Sequence, residues 1–149
     1  RNSIAPYNIV DSAFAYSPSS GSALFNFKNT PNGNYYIVIK HRNSIETWSK
    51  SGGIQLANGQ FSNYDFTTSA FQAFGNNQIL KGSKYCIYSG DVNQDEIIDA
   101  ADMSLIENDA NNSATGYLKS DINGDLFADA TDLSVTENNV YGAVILIRP

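Results

Sequence analysis

Residues 91–102 read Asp91-Val92-Asn93-Gln94-Asp95-Glu96-Ile97-Ile98-Asp99-Ala100-Ala101-Asp102. Residues 121–132 read Asp121-Ile122-Asn123-Gly124-Asp125-Leu126-Phe127-Ala128-Asp129-Ala130-Thr131-Asp132. The two stretches lie 30 residues apart, and 9 of the 18 aligned positions from 91–108 and 121–138 are identical. Each sets oxygen-bearing side chains at positions 1, 3, 5, 9 and 12. Asp and Asn fill 29 of the 149 positions, so such matches are cheap individually. Five fixed positions still match by chance only a few times in ten thousand, roughly 0.2 to the fifth power per window. Two matches in one register, each followed by the same helix-like pattern, point to a built repeat.

That register is the one an EF-hand-type calcium loop uses, with position 7 contributing its backbone carbonyl. Calcium is a hard cation that takes six to eight oxygens at roughly 2.3–2.6 Å. Positions 1, 3 and 5 turn inward, position 9 reaches the ion directly or through water, and position 12 closes the shell from the first helical turn. The predicted ligands are therefore Asp91, Asn93, Asp95, Ile97, Asp99 and Asp102, and Asp121, Asn123, Asp125, Phe127, Asp129 and Asp132, for two calcium ions. Glu96 and Leu126 stand at position 6, where such loops usually have Gly. A non-Gly residue at positive φ there costs about 1 kcal/mol or more, which weakens the sites without abolishing them.

The charge map agrees. Residues 1–90 carry seven Lys/Arg and three Asp/Glu, whereas residues 91–149 carry two and twelve. Eight of those twelve acids occupy loop ligand positions, where their mutual repulsion calls for a counter-ion. Helices are predicted over about 100–109 (Met103, Leu105, Ile106) and 130–140 (Leu133, Val135, Val140).

The rest reads as β structure, with 42% apolar, 12% aromatic and 16% charged residues overall. Strands are predicted over 3–10, 12–16, 23–28, 35–41, 44–48, 53–57, 60–66, 70–74 and 84–89. Turn signals at 17–21, 30–34 and 51–53 separate several of them. Short, regularly punctuated strands predict an antiparallel β-sandwich. The chain is thus expected to be mainly β with a small α part. A sandwich domain over 1–89 precedes a calcium-binding segment over 90–149 that ends in a C-terminal β-strand.

Loops that end in Asp at position 12, lack a preceding helix and lead into Leu/Ile-bearing helices resemble the duplicated segment of type I dockerin modules. The resemblance covers roughly residues 90–140. It implies two calcium loop-helix units packed face to face, in a non-enzymatic extracellular module. In that family, hydroxyl residues at loop positions 10 and 11 commonly recognise the cohesin partner. Here those positions are Ala100-Ala101 and Ala130-Thr131, so the resemblance carries the fold more than that partner. The segment from Gly33 to Ser49, with Tyr64-Asp65-Phe66 and 73–77, resembles a transthyretin- or carboxypeptidase-regulatory-type sandwich. Such sandwiches precede dockerin-like pairs in secreted bacterial surface proteins, where they act as spacer units.

Several function classes are disfavoured. The single His41, Cys86 and Trp48 lie in apolar strand patterns, and no nucleophile motif surrounds Cys86. Carboxylate pairs for glycoside hydrolysis would have to come from the calcium loops. A net charge of −6 argues against nucleic acid as a partner. Lys40 and Arg42 read as a solvated strand end. No apolar span of 18 residues occurs, so no membrane-inserted helix is expected. Loops of this kind fill at extracellular calcium levels, and a lone cysteine leaves no disulfide framework, so metal is the expected staple. The start at Arg1 reads as a processed or excised terminus.

The ends carry the remaining signal. Residues 3–16 open with strand-like sequence, and Gly142-Ala143-Val144-Ile145-Leu146-Ile147 is apolar on both faces. A terminal strand either closes the chain's own sandwich or completes a neighbour's sheet. The sequence reading is therefore a secreted, calcium-stabilised subunit of a self-assembling fibre, a homo-oligomer built by strand complementation. The alternative is a monomeric surface anchoring or adhesion module that binds a protein or glycan.

Overall fold

A computed structural model describes residues 1–18 and 21–149. The elements run β1 (Gly33–Tyr35), β2 (Val38–His41), β3 (Ser44–Trp48), β4 (Ile54–Leu56), β5 (Ile79–Lys81), β6 (Lys84–Cys86), α1 (Ala100–Asn111) and α2 (Ala130–Tyr141). Two short 3-10 turns, Ala70–Gln72 and Phe74–Asn76, precede β5. The chain divides into two compact units, Arg1–Ile37 with Gly52–Tyr64, and Val38–Ser51 with Asp65–Pro149. The boundary expected at Ser89–Gly90 falls inside the second unit.

In the first unit β1 pairs antiparallel with β4, from Gly33 opposite Leu56 to Tyr35 opposite Ile54. The N-terminus seals its other side: the Arg1 ammonium donates to the Tyr36 carbonyl at 2.8 Å, and the Tyr36 amide donates back to Arg1 at 2.9 Å. Tyr7 packs edge-on against the buried Tyr36 ring, with centroids 6.1 Å apart.

The chain is mainly β with a small α part and its strands pair antiparallel, as expected, but the pairing seen is not that of a sandwich. The described strands form three two-stranded antiparallel sheets, β1-β4, β2-β3 and β5-β6. Residues 3–10, 12–16, 23–28 and 60–66 belong to no strand, and 70–74 winds into the 3-10 turns. The physical reason is partnership: alternating apolar residues favour extended chain, yet a strand exists only where a neighbour takes up its N–H and C=O groups. Part of the turn predicted over 17–21, Ser19 and Ser20, lies outside the described residues. Strand β5 was not anticipated. It pairs with β6 across Gly82-Ser83, a two-residue hairpin signal, and Gly82 takes φ 60°.

In the second unit, every residue of β3 is buried. Glu46 is tolerated there because Lys40 Nζ reaches it at 2.8 Å and the Trp48 indole N–H at 2.7 Å. The core joins Ile45 of β3 to Ile98 and Val144, with Tyr88, Val140 and Leu146 packed against them.

The helices start where the sequence predicts and run slightly longer. Asp99 and Asp129 cap α1 and α2, and each forms a reciprocal capping box with Asp102 or Asp132. The repeats also pair crosswise. Ile97 bridges Ile145 while Phe127 bridges Thr115, and each pair is related by the same 30-residue offset. Ile98 N–H donates to Val144 O and Ala128 N–H to Ala114 O, both at 3.0 Å. Leu146 N–H to Glu96 O and Gly116 N–H to Leu126 O follow at 2.8 Å. The C-terminal run was expected to be a strand. It is instead the second repeat's return leg, held to the first loop by the Val144 and Leu146 backbone bonds on either side of the Ile145 bridge, with Val144 buried in the core.

Candidate metal centre

Both loops have the same backbone course. Glu96 and Leu126 take φ of 77° and 72°, so position 6 adopts the left-handed conformation although neither residue is Gly. Position 4 does likewise, with Gln94 at 64° and Gly124 at 84°. Each αL residue turns the chain so that alternate side chains point to one side.

In the first loop, Asn93 Oδ1 accepts from the Asp95 amide at 2.8 Å, and Asp95 Oδ1 from the Ile97 amide at 3.1 Å. Asp102, fully buried, accepts from the amides of Val92 (2.8 Å) and Asn93 (3.1 Å) at Oδ1 and of Asp99 (3.0 Å) at Oδ2. Position 12 thus ties the loop's start to the helix N-terminus. The second loop repeats this: Asp132 accepts from Ile122 (2.7 Å), Asn123 (3.0 Å) and Asp129 (2.9 Å).

Carboxylate oxygens of Asp91, Asp95 and Asp102 lie within 4.8 Å of one another, the one such set of three among the described residues. Neither Lys nor Arg pairs with any of the three among the described residues. Burial, and then the charges of Asp102 and Asp95, push the Asp91 carboxyl up to about 6. Three gathered oxygens with an unpaid charge fit a hard divalent cation. Asn93 and the position-7 residue Ile97 border the same loop, and Asp99 is engaged as the helix cap, accepting from Ala101 N–H at 2.8 Å.

The second loop is built differently at position 1. Asp121 is fully buried, and its Oδ1 accepts from Gly124 (2.8 Å) and Asp125 (3.1 Å). Its Oδ2 accepts from Leu126 at 3.2 Å and faces Arg42 Nη2 at 3.4 Å. Asn123 and Asp125 repeat the turn of the first loop, with the Asp125 amide donating to Asn123 Oδ1 at 2.8 Å and the Phe127 amide to Asp125 Oδ1 at 3.0 Å. Asp129 accepts from the amide of Thr131 at 2.7 Å. Bonds from Thr131 hold the Asp129 carboxyl below the usual range.

Arg42 is the residue that sequence reasoning misplaced. It is no solvated strand end: with Asn43 it forms the β2–β3 turn and enters the second loop, 79 residues away. No local pattern announces a contact of that separation. His41 does stand at a strand end, with Nδ1 3.2 Å from Ser44 Oγ, and Cys86 donates weakly to Lys84 O at 3.9 Å. Burial and the Arg42 charge hold His41 below its ordinary pKa.

Among known families, residues 89–140 match the dockerin type I domain, about a third of the chain. Neither a curated protein nor a solved structure matches the chain. The matched module is of a calcium-binding, non-catalytic class found outside the cell, where it binds cohesin proteins. No helix among the described residues is long and apolar enough to cross a membrane.

Proposed function

We propose that this chain is a calcium-stabilised extracellular structural protein whose N-terminal segment completes the sheet of a neighbouring copy, building a fibre. The observation that carries the reading is the run of residues 8–18 and 21–27, which joins no sheet. Its Ile9, Phe14, Tyr16 and Leu24 are 65%, 102%, 91% and 74% exposed. Large apolar side chains left in water outside any sheet are the composition of a donor strand. Among the described residues each sheet has two strands, so acceptor edges remain beyond the side of β1 that the N-terminus covers. Because donor and acceptor are different surfaces, the contact does not close on itself and propagates as a filament.

Calcium is the staple of the subunit. The first loop binds one ion through Asp91, Asn93, Asp95, the Ile97 carbonyl, Asp99 and Asp102. The second binds another through Asp121, Asn123, Asp125, the Phe127 carbonyl, Asp129 and Asp132.

The test replaces Phe14 and Tyr16 with Ser. Both are exposed, so the monomer's stability should change by less than about 0.5 kcal/mol, while filaments seen by negative-stain microscopy should vanish. Filaments that persist in the double variant, or wild-type particles that stay monomeric at every calcium and protein concentration, would sink the fibre reading.

The second reading is a monomeric anchoring module that docks on a surface protein or glycan. The dockerin type I match supports it, and Ala100, Ala101, Ala130 and Thr131 are exposed at the positions where that family meets its partner. Capture of a cohesin by the monomer would favour this alternative.

A further inference from the structure

The tip of the β2–β3 hairpin is built into the second loop. The Asn43 side-chain amide donates to the carbonyls of Lys119 (3.0 Å) and Asp121 (2.9 Å), and the Asn43 carbonyl accepts from Gly90 at 2.7 Å. Arg42 Nη2 donates to the Asp121 carbonyl at 3.0 Å and lies 3.4 Å from its carboxylate. The guanidinium also stacks on the Tyr117 ring, 3.9 Å from its centroid. Its Nε and Nη1 are buried without a partner. Nothing equivalent faces Asp91 among the described residues.

We propose that Arg42 is a resident counter-charge that makes the two calcium sites unequal, so that the first loop fills first and the second binds calcium against a fixed positive charge. The inference rests on the reading of both loops as calcium sites. A guanidinium stays charged at any working pH, so this opposition cannot be titrated away. Removing it should not release the ligand, because three backbone N–H groups still hold the Asp121 carboxylate. What changes is the field. A unit charge a few ångström from a divalent ion weakens its binding on the order of tenfold even at the dielectric constant of water. Without calcium the same charge keeps the second loop closed, a duty that the first loop leaves to the metal.

The experiment follows backbone amide NMR shifts during a calcium titration of the whole chain, Gln94 and Asp95 reporting the first loop and Gly124 and Asp125 the second. In the wild type the first pair should move at lower calcium than the second. In Arg42→Met the second step should tighten about tenfold, while melting in EDTA falls. Arg42→Lys, which keeps a charge, should retain the wild-type separation. Equal or reversed filling in the wild type overturns the proposal without recourse to any variant, as does an unchanged or weaker second step in Arg42→Met. Amides of both loops that ignore calcium would overturn the calcium reading itself, and this inference with it.

Discussion

Asp102 can be removed in two ways that separate its two duties. It is fully buried and accepts three backbone N–H groups, from Val92, Asn93 and Asp99. Asp102→Ala deletes all three bonds. The Val92 amide is buried and loses about 2 kcal/mol, while the two partly buried amides recover water and lose about 0.5–1 kcal/mol each. The expected cost in EDTA is therefore about 3–4 kcal/mol. Asp102→Asn keeps an amide oxygen for Val92 and Asn93 but turns an NH2 group toward the Asp99 N–H. Its cost in EDTA should be about 1–2 kcal/mol. Both variants lose a charged ligand, so the stabilisation that excess calcium gives the wild type should shrink in both. The assay is urea unfolding in EDTA and in excess calcium, followed by the fluorescence of Trp48, which is 2% exposed in the same unit. Asp132 makes the same three bonds, so its variants should keep the same order. If Ala costs no more than Asn in EDTA, the carboxylate does not organise the loop. If calcium still stabilises both variants as much as the wild type, it is not a ligand.

Three further outcomes follow from local geometry. Gly90 sits at φ +120°, and a Cβ there would stand 3.0 Å from Thr136 Oγ1 and 3.2 Å from Ile98 Cγ2. Gly90→Ala should thus cost roughly 1–3 kcal/mol in urea unfolding, and a neutral result would contradict the close approach. Leu126 is 53% exposed at φ 72°, so Leu126→Gly should gain about 0.5 kcal/mol as relief of strain slightly outweighs added freedom of the unfolded chain. A loss there would mean that the side chain packs. In EDTA the Asp91 carboxyl is raised to about 6, so between the ordinary value of 3.8 and 6 the folded state holds a proton that the unfolded chain has released. Melting temperature should then fall as pH rises through that window, and calcium, which needs the ionised form, should reverse the slope. A calcium-free melting curve flat across the window would show that Asp91 is already ionised in the fold.

What was legible in the sequence was what is local. Positions 1 to 12 of each loop, the cap at Asp99 or Asp129 and the helix behind it lie within about two dozen consecutive residues, so spacing and residue type suffice. The positive φ at Glu96 and Leu126 followed from loop register alone. What could not be read was partnership. Residues 12–16 and 23–28 have strand composition, yet pairing is decided by a neighbour that no local pattern names. Arg42 next to Lys40 looked like a solvated charge pair. Only the two-residue turn after His41, buried with Asn43 against Asp121, gives it a different role.

The crosswise pairing of the repeats has a consequence for how calcium acts. Positions 6 and 8 of each loop, on either side of the bridges Ile97 with Ile145 and Phe127 with Thr115, are hydrogen-bonded not to their own helix's return leg but to the other's. Neither loop can therefore be fixed without fixing the chain that leaves the opposite helix. Ile98 and Val144 bring that constraint into the core beside Ile45, and Ile45 N–H is bonded to Tyr88 O at 2.9 Å, just before the first loop. On the proposed two-ion reading, an ion that orders one loop would reduce the conformational freedom that its twin must still give up, which is positive coupling. On the same reading Arg42, beside Asp121, would oppose that coupling at the second loop. The separation between the two filling steps accordingly measures the difference between the shared scaffold and the fixed charge, and Arg42→Met leaves only the scaffold.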